Sequence, residues 1–196
     1  MESIIMSKIF GYGEDALTLW ALKHRTSKIL NEFQDKTTPS DCLIFYRPSF
    51  GRSGGEKSAE FGEFDAIIAS LENIYLIENK WDNLSCYHDE KVIIRKEQEM
   101  RHRIFSWYIL NWDKKYFNDW ERFLNENVRG FQEKFQNKVI PPPGSILATN
   151  LQFILIMLRK HCETFQSKDN IKNVLIFFYD KRKSVPPKKP VGRFSN

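Results

Sequence analysis

Phe64-Asp65-Ala66-Ile67-Ile68, followed across Ser70-Leu71-Glu72-Asn73 by Ile74-Tyr75-Leu76-Ile77-Glu78-Asn79-Lys80, reads as two short apolar strands joined by a turn. Side chains alternate faces along a strand, so Ile74, Leu76, Glu78 and Lys80 share one face, and Tyr75, Ile77 and Asn79 the other. Glu78 and Lys80 therefore emerge side by side at the end of the second strand. If the two strands run antiparallel, Asp65 lies beside that same end. The spacing predicts an oxygen-ligand pair for a hard divalent cation, with a lysine next to it. The same residues are compatible with a plainer arrangement, in which Asp65 caps a turn and Glu78 pairs with Lys80 on an exposed edge.

Upstream, Glu14 to Phe33 reads as an amphipathic helix bounded by Gly11 and Gly13 before it and Thr37-Thr38-Pro39-Ser40 after it. Cys42-Leu43-Ile44-Phe45-Tyr46 follows as a short buried strand ending near Pro48. Ser49 to Phe61 is a polar loop with Gly51, Gly54 and Gly55, carrying Arg52 and Lys57. Such a loop either offers backbone N–H groups to phosphates, without the spacing of a P-loop, or simply connects two strands.

Downstream, a turn at Trp81 to Ser85 leads to a long helix expected from about Asp89 to Leu110, with Ile93, Met100, Ile104, Trp107 and Tyr108 toward the sheet. Lys91, Arg95, Gln98 and His102 form a second stripe on it, which either tracks a phosphate backbone or is a solvated polar face. Residues 111–139 carry Trp112, Tyr116, Phe117, Trp120, Phe123, Phe131 and Phe135 at roughly helical spacing and read as a helical insertion that buries these rings. Stacking on bases is the other use of such aromatics. After Pro141-Pro142-Pro143-Gly144, Leu151 to Leu158 is expected as an apolar strand, Arg159 to Ser167 as a short helix or turn, and Asn173 to Tyr179 as a last strand.

The chain of 196 residues, 41% hydrophobic, can bury one substantial core, so one domain over residues 1–180 is expected. The net charge of +5 belongs to the tail: residues 181–196 hold six cations and no acid, and residues 1–180 carry a net charge of −1. This proline-containing tail reads as flexible, free either to approach a phosphate backbone or to solubilise the terminus. The three cysteines lack the paired spacing of a disulfide framework or a structural zinc site, and Cys86 with His88 or His161 with Cys162 reads as packing. The N-terminus has no secretory pattern, and the apolar run Phe153 to Leu158 is far too short for a membrane span, so a soluble cytoplasmic protein without a membrane partner is expected.

The order of helix, three strands, long helix, insertion and two further strands, with Asp65 and Glu78-Asn79-Lys80 on the second and third strands, resembles the PD-(D/E)XK, or restriction-endonuclease-like, nuclease superfamily. The resemblance covers roughly residues 14–110. It implies an α/β fold with a mixed central sheet flanked by helices, and a metal-dependent endonuclease acting on DNA. It also implies that Asp65 and Glu78 bind Mg²⁺, with Mn²⁺ as a substitute, and that Lys80 assists the attacking water. Glu14 matches a further ligand that many members place on the first helix, and Gln98 a polar residue that some carry on the helix after the Glu-x-Lys strand. Phe64 stands where the family name has proline. Arg52, Lys57, Arg95 and Gln98 are the expected nucleic-acid contacts, and a homodimer fits the cutting of both strands of a duplex. Two alternatives stay open: a non-catalytic module of the same fold that binds nucleic acid or a partner, and an RNA-directed nuclease.

Overall fold

A four-stranded sheet buried at its two central strands organises the chain; the segment 42–46, expected as a buried strand, forms an edge strand with Ile44 and Tyr46 exposed. The computed structural model describes residues 13–51, 55–81, 87–88, 91–162, 167–178 and 189–191. Helix α1 (Gly13–Glu32) leads through an extended segment to β1 (Leu43–Tyr46). A small ribbon of β2 (Ser49–Phe50) and β3 (Gly62–Glu63) follows, and then β4 (Ala66–Ala69) and β5 (Ile74–Trp81). Next come β6 (Tyr87–His88), β7 (Lys91–Ile93), α2 (Lys96–Asn111), α3 (Trp120–Lys134), α4 (Ile146–His161), β8 (Ile171–Phe178) and β9 (Lys189–Val191).

The main sheet has the order β1-β4-β5-β8. β1, β4 and β5 are antiparallel neighbours, and β8 runs parallel to β5 from Ile74↔Ile171 to Trp81↔Phe178. The fold is thus mixed α/β. All four residues of β4 are buried, as a strand covered on both faces requires. On one face Ile67, Ala69, Ile74 and Leu76 pack against α2, α3 and α4, and on the other Ala66, Ile68, Tyr75, Ile77 and Val174 pack against Leu22, Ile29 and Leu30 of α1.

The β4–β5 turn is tied down by polar groups. Ser70 N donates to Asn73 O at 2.8 Å, and the Ser70 hydroxyl donates to Asp35 Oδ2 at 2.5 Å. The same buried carboxylate accepts from Asn73 Nδ2 at 2.9 Å, Tyr75 OH at 2.7 Å and Thr37 N at 2.9 Å. Register matters here because a slip of one residue would carry Glu78 to the opposite face.

Several expectations change. Leu151 to Leu158 is not a strand but the middle of α4: Ala148, Leu151, Ile154, Leu155 and Leu158 are buried at helical offsets, and Ser145 caps the start by accepting from Ala148 N at 3.2 Å. The long helix begins at Lys96 rather than near Asp89, which lies outside the described residues, and Lys91 belongs to β7. The loop after Ser49 is not wholly polar, since Phe50 and Phe61 are buried and stack with centroids 4.8 Å apart. In the basic tail, Lys189–Val191 pairs parallel to β7, so that piece is not loose; the remaining tail residues lie outside the described set.

The insertion is helical as expected, and Trp112, Tyr116, Trp120, Phe123, Phe131 and Phe135 are buried, which removes them from any role in stacking on bases. No described helix is long and apolar enough to cross a membrane.

Candidate functional site

The antiparallel register Ala66↔Ile77 puts Asp65, one residue before β4, opposite Glu78 on the same face of the sheet. Asp65 Oδ2 accepts from Asn79 N at 2.6 Å, and its backbone carbonyl accepts from Arg47 N at 3.2 Å. Arg47 in turn spans Asp15 at the start of α1, with Nη1 2.5 Å from Oδ2, and Glu63, with Nε 2.7 Å from Oε1. Glu63, two residues before Asp65, is thereby paired with Arg47. Burial pushes the Asp65 carboxyl up to about 6, the charges of Glu78 and Glu14 push the same way, and the Asn79 N–H and the Lys80 ammonium oppose them. Glu78, Lys80 and Glu14 are therefore each close enough for their charge to reach Asp65.

Glu78 is the most deeply placed of these groups, at 2% exposure. Three side chains of α2 at positions i, i+3 and i+4 close on it. Gln98 Nε2 donates to Oε2 at 2.7 Å, and Gln98 Oε1 accepts from Arg95 N at 3.1 Å. Arg101 donates to Oε1 through Nε at 3.0 Å and through Nη2. His102 Nε2 lies 3.3 Å from Oε1, while its Nδ1 faces Asn173 Oδ1 on β8 at 2.7 Å. Burial alone would raise the Glu78 carboxyl, but the His102 hydrogen bond and the Arg101 charge prevail and hold it below the usual carboxylate range.

Lys80 is half-buried, two residues beyond Glu78 on the same face. Asn79, between them, turns to the α1 side, where its Nδ2 donates to Thr18 Oγ1 and its Oδ1 has no hydrogen-bond donor among the described residues. Glu14 is exposed in the first turn of α1.

The expected nucleic-acid contacts separate. Gln98 is buried against Glu78 and does not face solvent, because α2 turns this side to the sheet. Its companion in the expected stripe, His102, is buried with it. Arg95 is exposed just ahead of α2. Lys57 is exposed in a turn with φ +59°, its backbone N donating to Asn137 O at 2.8 Å. Arg52 lies outside the described residues.

Arg101 is the residue of this cluster that sequence reading passed over, and His102 was read only as part of a polar stripe, although their offsets from Gln98 place all three on one helical face. A cavity of about 190 Å³ adjoins His102, between α2 and the start of β8, lined in part by Arg103, Lys134, Lys168 and Asn173. Asp65, Glu78 and Lys80 do not line it.

Asp65 and Glu78 are hard oxygen donors of the type Mg²⁺ takes, yet they do not present that ion with a ready site. Oε1 of Glu78 already carries three donors and Oε2 one, a guanidinium supplies the positive charge, and no group of three or more His, Cys, Asp or Glu among the described residues is disposed to hold a metal. No family model, curated protein or solved structure matches the chain.

Proposed function

We propose that the chain is a phosphodiester hydrolase of the restriction-endonuclease-like kind, a metal-dependent endonuclease acting on DNA, with Asp65, Glu78 and Lys80 at its centre. The observation that carries the reading is the facing of Asp65 and Glu78 across β4 and β5, with Lys80 next on the same face. It is supported by a sheet in which three antiparallel strands are completed by β8 running parallel to the strand that bears Glu78.

The residues divide the work by their surroundings. Cleaving a phosphodiester requires positive charge near the transferring phosphoryl group and a water activated near neutral pH. Lys80, half-buried beside two carboxylates, serves as the fixed positive charge on the phosphate or its attacking water. Asp65 is oriented by the Asn79 N–H, and its raised proton affinity places it within reach of proton exchange near pH 6. The exposed Arg95 and Lys57 are available to a phosphate backbone, contacts that position a duplex without reading its sequence.

A second reading has its own support. The saturation of Glu78 by Gln98, Arg101 and His102 suits a non-catalytic nucleic-acid-binding module in which the carboxylate is a structural anchor. Incubating supercoiled plasmid, branched and single-stranded DNA, and RNA competitors with Mg²⁺ or Mn²⁺ separates the two. Metal-dependent cutting by the native chain that is lost in Lys80→Ala and Glu78→Ala supports the hydrolase. DNA binding without cutting, unchanged by either substitution and by chelator, supports the module.

A further inference from the structure

The cavity between α2, the end of α3 and the start of β8 carries an excess of one sign of charge on its walls. From α2 it takes Glu99, Arg103 and Ser106, whose offsets of four and three stack them on one helical face. Lys134 enters from the last turn of α3, and Lys168 from the short turn (Lys168–Asn170) that leads into β8. Three cations thus share the cavity with one acid. Among the described residues no carboxylate lies within ion-pair distance of Arg103, Lys134 or Lys168, although Arg47, Arg101, Arg122 and Arg129 of the same fold each have one. Lys134 has a local reason for its place, since a cation suits a helix C-terminus. Arg103, in the middle of α2, and Lys168 have none of that kind. Like charges gathered around a recess repel one another, and an anion between them relieves the repulsion. Three cations less one acid leave two positive charges, which a dianion would balance.

Neutral groups complete the walls. Ser106 brings a hydroxyl donor, and Asn173, whose Oδ1 is turned to His102 Nδ1 at 2.7 Å, has its Nδ2 donors left to offer a ligand. Trp107 and Ile171 supply an apolar part. At about 190 Å³ the space is smaller than the roughly 300–1,000 Å³ of sites for drug-sized molecules, so the occupant is small. We propose that this cavity binds a phosphate monoester, either the terminal phosphate of a nucleic-acid strand or a small free phosphate ester. Both sources present one chemistry, a near-dianionic group with three strong acceptor oxygens on an organic stem, matched to a guanidinium fork and two ammonium groups. Asp65, Glu78 and Lys80 do not line the cavity, so the inference goes beyond the hydrolase reading and stands or falls without it.

The test is titration of the full chain with methyl phosphate at pH 8, where the monoester is a dianion, followed by the indole N–H resonance of Trp107 and run beside sodium chloride at matched ionic strength. The expected result is a saturable shift with a Kd of about 1 mM or tighter, absent with chloride and weakened about fivefold or more in Arg103→Gln and in Lys168→Gln. Both side chains are exposed, so neither change opens the core. Arg129→Gln removes an exposed cation of α3 that does not line the cavity and should bind as the native chain does. Dimethyl phosphate, a monoanion, should bind about fivefold more weakly or worse. The proposal is overturned by the lack of a saturable shift up to about 20 mM, by native affinity in both cavity variants, by an equal loss in Arg129→Gln, or by equal affinity for dimethyl phosphate. A terminally phosphorylated oligonucleotide and its hydroxyl-ended twin then separate the two sources. Displacement of methyl phosphate by the phosphorylated strand alone assigns the cavity to a strand end, and displacement by neither assigns it to a free phosphate ester. Equal displacement by both makes it a contact for backbone diesters and overturns the monoester assignment.

Discussion

At the scale of the residue, the site is two carboxylates given opposite environments. Asp65 is desolvated without a dedicated cation and its carboxyl is pushed up to about 6, whereas Glu78 is buried more deeply but held low by His102 and Arg101. Linkage fixes the sign of the first effect. Between about pH 4 and 6 the unfolded chain has already released the Asp65 proton that the folded chain retains, so this group lowers stability as pH rises through that window. In metal-free protein, Asp65→Asn keeps the Asn79 hydrogen bond and removes the titration. Its stability relative to native should climb from pH 4 to 6 by about 2 kcal/mol and then level off. Denaturant unfolding across that range checks it, and a flat difference would show that Asp65 is not desolvated as described. For Glu78 and Arg101 the expectation is coupling. Glu78→Gln leaves a buried guanidinium uncompensated and should cost about 3–5 kcal/mol. The Glu78→Gln/Arg101→Gln double variant should cost less than the two single changes added, by more than about 1 kcal/mol. Additive losses would mean that the pair does not interact in solution.

At the scale of the element, α4 discriminates between two readings of one apolar run. A strand over Leu151 to Leu158 would put Phe153 and Leu155 on one face and Ile154 and Ile156 on the other. The helix instead leaves Phe153 59% exposed and buries Ile154 at 7%. Phe153→Lys should therefore change stability by no more than about 0.5 kcal/mol, and Ile154→Lys should cost several, which a pair of urea titrations decides. The reason this element was hidden is physical. A continuous apolar run has no period, and α4 carries apolar residues beyond its buried face, with Ile146 and Phe153 exposed while Ala148, Leu151, Ile154, Leu155 and Leu158 join the core. The signals that could have found it were Ser145 as a cap and a stretch of sixteen residues without glycine or proline. β4 and β5 were legible because both alternation and turn were written in the sequence, and α1 because glycines and a Thr-Pro segment bound it. Asp65, Glu78 and Lys80 follow from period-two geometry alone. Arg101 does not, since whether a cation at one helical offset reaches a strand carboxylate depends on the rotation of α2 over the sheet, which only packing sets.

At the scale of the whole molecule, charge and topology lie in different parts of the chain. Residues 1–180 are nearly neutral, and the chain's excess of cations sits in the last sixteen residues. If nucleic acid is the partner, deleting residues 181–196 should lower affinity and flatten the dependence of log K on log salt by at most about 5, one increment per phosphate neutralised. Fluorescence anisotropy at several salt concentrations checks this, and an unchanged slope would assign the tail to solubility. The parallel partnership of β5 with β8 has another outcome, for the chain as it is made. Ile74 and Ile171 are partners on neighbouring strands, yet almost a hundred residues, α2, α3 and α4 among them, are synthesised between them. At about 5–20 residues per second, the strand bearing Glu78 waits roughly 5–20 s beyond its own emergence from the ribosome before its second neighbour exists. For that interval one side of β5 is an open edge of Ile, Tyr and Leu backbone, a template for unwanted pairing. Chaperone capture of the nascent chain, and aggregation when translation stalls between residues 81 and 171, should concentrate in that interval.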